Sequence, residues 1–115
     1  MMDVDSVVNH VANDFMRKRF KVKAIIPVHL MGDMVQMDRL KGIAQEARIL
    51  VIEDSCQALG AEIWGKRAGS WGRASAFSFF PAKILGAYGD AGAVTTNDEN
   101  LYNELKNMRE HYKYS

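Results

Sequence analysis

Ile49-Leu50-Val51-Ile52-Glu53-Asp54 is the stretch that decides the fold. Its four apolar residues, three of them β-branched, run without a polar break, as a strand covered on both faces requires. Two acids then end the run. In open α/β sheets ligands bind beyond the carboxyl ends of the strands, so a site is to be sought here. A simpler role competes for Asp54: it precedes Ser55-Cys56-Gln57-Ala58 and could cap a helical turn.

Outward from this strand, the chain reads as alternating elements. Val4, Val7, Val8, Val11 and Phe15 fall on one helical stripe, with Asp5 as N-cap. The cluster Arg17-Lys18-Arg19, with Lys21 and Lys23, closes that helix with the favourable dipole sign. Ala24-Ile25-Ile26-Pro27-Val28 reads as a buried strand whose proline marks an end or an irregular ladder. After a turn at Met31-Gly32-Asp33, a second helix shows Met37, Leu40, Ala44 and Ala47 on one face. Gly60, Gly65, Gly69 and Gly72 mark a loop with room for a short hairpin. Strands are expected at 76–80 and 92–96, and a helix carrying Leu101, Leu105 and Met108 closes the order. Asp98 and Glu99 fall in its first turn, and Lys106 and Arg109 near its end. The result is an α/β layered sheet of four strands without repeats or a linker. Both end helices are amphipathic, and each calls for a neighbour outside the chain.

Composition bounds the function. A 115-residue chain makes one modest domain that buries roughly 60% or more of its unfolded surface. The 48% apolar and 25% charged residues suit a globular protein, and a net charge of +1 gives no nucleic-acid footprint. Cys56 is the single cysteine, so no intrachain disulfide forms and a reducing compartment is expected. The acidic start MMDVDSVVNH has no secretory character, and no apolar run approaches the roughly 18 residues of a membrane helix. The expectation is a cytoplasmic protein without membrane or nucleic-acid partners.

Two phosphate-loop patterns fail on inspection. Gly60-Ala-Glu-Ile-Trp-Gly65-Lys66-Arg67 lacks the hydroxyl after the lysine that would bind magnesium, and more loop follows it instead of a helix. The glycines at 86, 89 and 92 do not reproduce G-x-G-x-x-G. His10, His29 and His111 are scattered, so no metal is expected; a binding domain using Asp54 for magnesium is the weakest of the readings.

Lys83 stands out in Phe77-Ser-Phe-Phe-Pro-Ala-Lys-Ile-Leu-Gly86. A surface lysine is the ordinary reading, yet this one follows a strand end where the ligand crevice should lie. A lysine nucleophile needs a site that favours the free amine, and Phe79, Phe80 and Pro81 could exclude water. Pyridoxal phosphate (PLP) needs a lysine for its Schiff base, a carboxylate for the pyridinium nitrogen and donors for the phosphate. Lys83, Asp54 and Ser78 supply one of each.

These residues also carry a family resemblance. Ala24-Ile-Ile-Pro-Val-His-Leu-Met-Gly32, Val51-Ile-Glu-Asp-Ser-Cys-Gln-Ala-Leu-Gly-Ala61, the Lys83 stretch and Gly89-Asp-Ala-Gly-Ala-Val94 resemble the middle of the DegT/StrS family of PLP-dependent sugar aminotransferases. By that resemblance Lys83 is catalytic and holds PLP, Asp54 pairs with the pyridine nitrogen, Gln57 contacts the ring near its phenolic oxygen and Ser78 binds the phosphate. The implied fold is part of an aspartate-aminotransferase-type (PLP fold type I) large domain, with a mostly parallel sheet and flanking helices. The implied reaction moves an amino group from glutamate to a keto nucleotide sugar in a homodimer. Dehydratases of the family carry histidine in place of the lysine, so Lys83 argues for transamination.

The chain departs from the family pattern at Ala91, where glycine is common, and at Ile84, where asparagine is frequent. The family's N-terminal phosphate-gripping loop, its ring-stacking aromatic, the asparagine that reaches across the dimer and the C-terminal small domain have no counterpart in residues 1–115. Residues 1–115 are therefore expected to be a single segment of the large domain, with little or no activity alone. The alternative is a non-catalytic truncated fragment that self-associates or binds a partner.

Overall fold

The computed structural model describes residues 2–13, 19 and 21–110. The helices are α1 (Val4–Ala12), α2 (Met37–Ala47) and α3 (Glu99–Arg109). The strands are β1 (Ala24–Ile25), β2 (Leu50–Asp54), β3 (Glu62–Ile63), β4 (Lys66–Arg67), β5 (Ala74–Ser78) and β6 (Gly92–Thr96). Four strands form one sheet in the order β1-β2-β5-β6. The first three are parallel and β6 runs antiparallel to β5. The remaining two strands make a hairpin. Its tip is Trp64-Gly65, with φ of 53° and 73°, the two left-handed residues of a type I′ turn.

Pro27 explains the brevity of β1. Ile25 pairs with Val51 and Val28 bridges Asp54, so the register holds across the gap. A parallel ladder at that offset calls for an N–H from residue 27, and proline has none. Pairing resumes beyond it: Asp54 N donates to Pro27 O at 2.9 Å, and His29 N donates to Asp54 O at 3.0 Å.

The core lies between the sheet and α1 and α2. Met37 and Leu40 are fully buried, joined by Val35, Ala44, Val51, Ile25, Val4 and Val11. Thus α1 finds its neighbour in α2, whereas α3 buries no residue.

Several boundaries differ from the expectations. Asp3, in extended backbone, is the N-cap of α1 and accepts Asp5 N, while Asp5 reaches Arg39 Nη2 at 2.6 Å. The helix ends at Ala12 with extended Asn13 as its C-cap, so the basic cluster does not close it. Phe15, Arg17 and Lys18 lie outside the described residues. Asp98 caps α3 by accepting Leu101 N at 3.0 Å, rather than sitting in its first turn. The third long strand runs over 74–78 instead of 76–80, because the small residues Ala74 and Ser75 are buried beside β2.

The glycine-rich loop after the hairpin is fixed by a buried carboxylate. Glu53 Oε1 accepts Trp71 N at 2.8 Å and Gly72 N at 2.7 Å, while Oε2 accepts Gly69 N at 2.9 Å. His29 Nε2 donates to the same Oε2 at 3.2 Å. Both side chains are buried completely. Burial alone would push the Glu53 carboxyl up; the hydrogen bonds from His29, Gly72, Gly69 and Trp71 outweigh it and hold the carboxyl below the ordinary 4.5.

A depressed carboxyl contributes stability that is fully present above its unfolded value and is lost as pH falls through the folded one. Glu53→Gln turns an amide N–H₂ toward donors and should cost roughly 2–4 kcal/mol at neutral pH. In urea unfolding, the gap between the variant and the unsubstituted chain should narrow below pH 4.5. A gap that stays constant down to full protonation would contradict this account.

Candidate active site

Strand alternation sends Glu53 and Asp54 to opposite faces, so the two acids at the end of β2 do different work. Glu53 points into the core network. Asp54 is half-buried, and its carboxylate accepts Cys56 N at 3.1 Å, the turn-capping role that competes for it in the sequence. The chain then turns through Ser55 to Ala58, closed by Ala58 N donating to Ser55 O. This turn brings Gln57 against the segment after β1. Gln57 O accepts Gly32 N at 2.9 Å, and Gln57 Oε1 accepts Met31 N at 3.3 Å. Met31 and Gly32 hold φ of 54° and 81°, so the turn that faces Gln57 runs through the left-handed region.

At the neighbouring strand end, Ser78 closes β5 and its Oγ accepts Phe80 N at 3.3 Å. The segment beyond it folds back on itself. Lys83 N donates to Phe80 O at 2.8 Å, and Ala87 N donates to Phe79 O at 2.8 Å. Gly86 is required for this fold: a Cβ there would stand 2.4 Å from Pro81 O. Lys83 is half-buried at the turn. Of the three residues expected to exclude water, Phe79 is half-buried, while Phe80 and Pro81 are exposed.

Met31, Gly32, Cys56, Gln57, Ser78 and Lys83 line one open cleft of about 350 Å³. That volume falls in the range of small-molecule sites. Asp54 is not among its lining residues, but its carboxylate holds the amide of Cys56, which is one of them. Burial pushes the Cys56 thiol up, the Asp54 carboxylate pushes it further, and the Lys83 cation acts in the opposite sense. Both charges therefore lie close enough to Cys56 to act on it. The structure thus brings Gln57, Ser78 and Lys83 together, with Asp54 next to them.

His29 is a residue that sequence reasoning passed over. Its Nδ1 accepts Val35 N at 3.3 Å, which leaves Nε2 as the donor to Glu53. The sequence held no signal for the pair, because His29 and Glu53 meet only through the register of two neighbouring strands. Among the described residues, no three His, Cys, Asp or Glu side chains converge as a metal set. Among them, too, no helix is long and apolar enough to cross a membrane.

Known proteins resemble this chain in sequence and in fold. The sequence profile of the DegT/DnrJ/EryC1/StrS aminotransferase family matches residues 1–114. A pleiotropic regulatory protein of Geobacillus stearothermophilus is 50% identical over 79% of this chain and 24% of its own length. A dTDP-3-amino-3,4,6-trideoxy-alpha-D-glucose transaminase of Micromonospora megalomicea is 47% identical over 77% of this chain and 24% of its own length. The crystal structure of a DegT DnrJ EryC1 StrS aminotransferase from Brucella abortus superposes with a TM-score of 0.88 at 35% identity. It covers 99% of this chain and 32% of the Brucella chain. Other matched structures hold PLP or its amino form, PMP. The chain spans about a quarter of the length of the curated relatives it matches. The partial aspartate-aminotransferase-type architecture and the PLP dependence of its relatives agree with the expectations from sequence. The chain belongs to the DegT/DnrJ/EryC1/StrS aminotransferase family.

Proposed function

We propose that residues 1–115 form the lysine-bearing segment of a PLP-dependent enzyme that transfers an amino group from glutamate to a keto nucleotide sugar. The observation that carries this reading is the convergence of Lys83, Gln57 and Ser78 on one cleft, with Asp54 at the adjoining strand end. The chemistry of this donor set fits the cofactor: an amine, a carboxylate, an amide and a hydroxyl match an aldehyde, a pyridine nitrogen, a phenolic oxygen and a phosphate. PLP, when bound, supplies the electron sink for the carbanion formed at an amino acid's α-carbon.

The side chains divide the remaining work. Lys83 Nζ would hold the cofactor and, once displaced from it by the amine of the amino donor, would carry the proton on and off the α-carbon as base and acid. Asp54 keeps the pyridine nitrogen protonated, which strengthens the sink. Gln57 meets the phenolic oxygen, and Ser78 gives its hydroxyl to the phosphate. Residues 1–115 by themselves should turn over poorly, because they span about a quarter of the length of the curated relatives they match. A homodimer and a cytoplasmic setting complete the proposal.

A second reading, a non-catalytic segment that associates with itself, is favoured by one observation. The apolar face of β6 and α3 is open: Val94, Tyr102 and Met108 are 53%, 56% and 66% exposed. Sedimentation at rising concentration tests it, and a strict monomer would rule it out.

The first reading is tested by adding PLP, reducing with borohydride and mapping the modified lysine by mass spectrometry. Lys83 should carry the label selectively, and Asp54→Ala or Ser78→Ala should abolish that selectivity. Label scattered over surface lysines would contradict the assignment. Gly86→Ala forces the Pro81–Gly86 turn apart at a cost of about 1–3 kcal/mol. Its Lys83 labelling should fall several-fold more than that of the other lysines, measured in the same digest.

A further inference from the structure

A carboxamide can face a ligand with its oxygen or its nitrogen, and Gln57 is held in one of these two ways. Met31 N is a donor, so the atom it meets at 3.3 Å must be the Gln57 oxygen. The Gln57 nitrogen then points away from Met31 as a donor. The orientation depends on where Met31 N is held, and a buried series of bonds sets that. Glu53 Oε2 accepts His29 Nε2, and His29 Nδ1 accepts Val35 N, which anchors the far end of the Met31–Val35 turn. The near end is anchored by His29 N on Asp54 O. Asp33 N donates to Leu30 O within the turn, and Gly32 N donates to Gln57 O across it.

We propose that His29 and Glu53 are positioning residues that orient Gln57 as a hydrogen-bond donor into the Lys83 cleft. The proposal rests on reading the cleft as a PLP site, where the phenolic oxygen is the acceptor this donor suits. The pair acts from the opposite face of β2 and touches no ligand. It sets the turn that chooses which end of the amide is offered.

His29→Gln keeps a donor able to reach Glu53 from the Nε2 position, but its carboxamide oxygen then lies on the side away from Nδ1, so Val35 N loses the acceptor placed for it. Amide hydrogen exchange, measured by NMR without PLP, should quicken about tenfold or more at Met31 and Gly32, the loss of roughly one hydrogen bond. The amides of Ala76 and Val94, in β5 and β6, should keep their rates. In PLP–borohydride titrations, half-labelling of Lys83 should need several-fold more PLP. Gln57→Glu is the complementary variant, at an exposed position. Its carboxylate still accepts Met31 N, so Met31 exchange should stay slow, yet labelling should weaken because the donor is gone.

Unchanged Met31 and Gly32 exchange in His29→Gln overturns the proposal, as does a uniform acceleration at every amide. Undiminished labelling of Gln57→Glu overturns the donor role. Should His29→Gln fail to fold, Gln57→Ala decides the orientation: Met31 exchange should quicken while Gly32, held by the Gln57 backbone carbonyl, stays slow. If the unsubstituted chain shows no selective label at Lys83, the PLP reading fails and takes the donor role with it, while the exchange rates still decide the orientation.

Discussion

Everything near the strand ends depends on one buried carboxylate. Glu53 gathers three backbone amides and an imidazole, and none of the four could be left unpaired at that depth without loss. Those partners come from two separate stretches, the loop at 69–72 and the segment after β1. Their attachment to β2 fixes the surroundings of the residue that follows Glu53 in the chain. Asp54 therefore inherits its position from its neighbour. Its backbone N–H and C=O are both held by the segment after β1, the first by Pro27 O and the second by His29 N.

The same stretch of strand shows why small residues sit where they do. Gly72 approaches β2 so closely that a Cβ would stand 2.6 Å from Val51 O. Without that approach the Gly72 amide could not reach Glu53. Gly86 does a comparable service for the Lys83 turn, against Pro81 O. Both are close contacts between backbones, and any side chain at either position would push apart the segments that the site needs near one another.

The elements with a regular apolar period were legible in the sequence. Met37, Leu40 and Ala44 are buried as their spacing requires, and the run through Val51 is the central parallel strand. Boundaries were less legible where a competing signal was stronger than the true one. Phe79 and Phe80 drew the third strand two residues late, because aromatic bulk reads as strand while Ala74 and Ser75, buried beside β2, carry no comparable signal. Asp5 has the residue type of an N-cap, yet Asp3 caps α1, because backbone geometry rather than residue type places the cap. The Glu53–His29 pair was invisible for another reason. It joins residues 24 apart through the register of two strands, and sequence spacing holds no record of register.

Burial is uneven in a way that bears on chemistry. The helices α1 and α2 give the sheet a covered face, yet the cleft is walled on few sides. Ile84, Leu85 and Tyr88, which surround the lysine in sequence, are 79%, 59% and 113% exposed. A lysine that is to act as an amine works best away from water. Residues 77–86 therefore do the positioning half of that task, through the Phe80–Lys83 turn and the Gly86 contact, and leave the dehydrating half undone. A surface packed against this apolar rim would complete it, and would cover the exposed side chains whose contact with water now costs the segment stability.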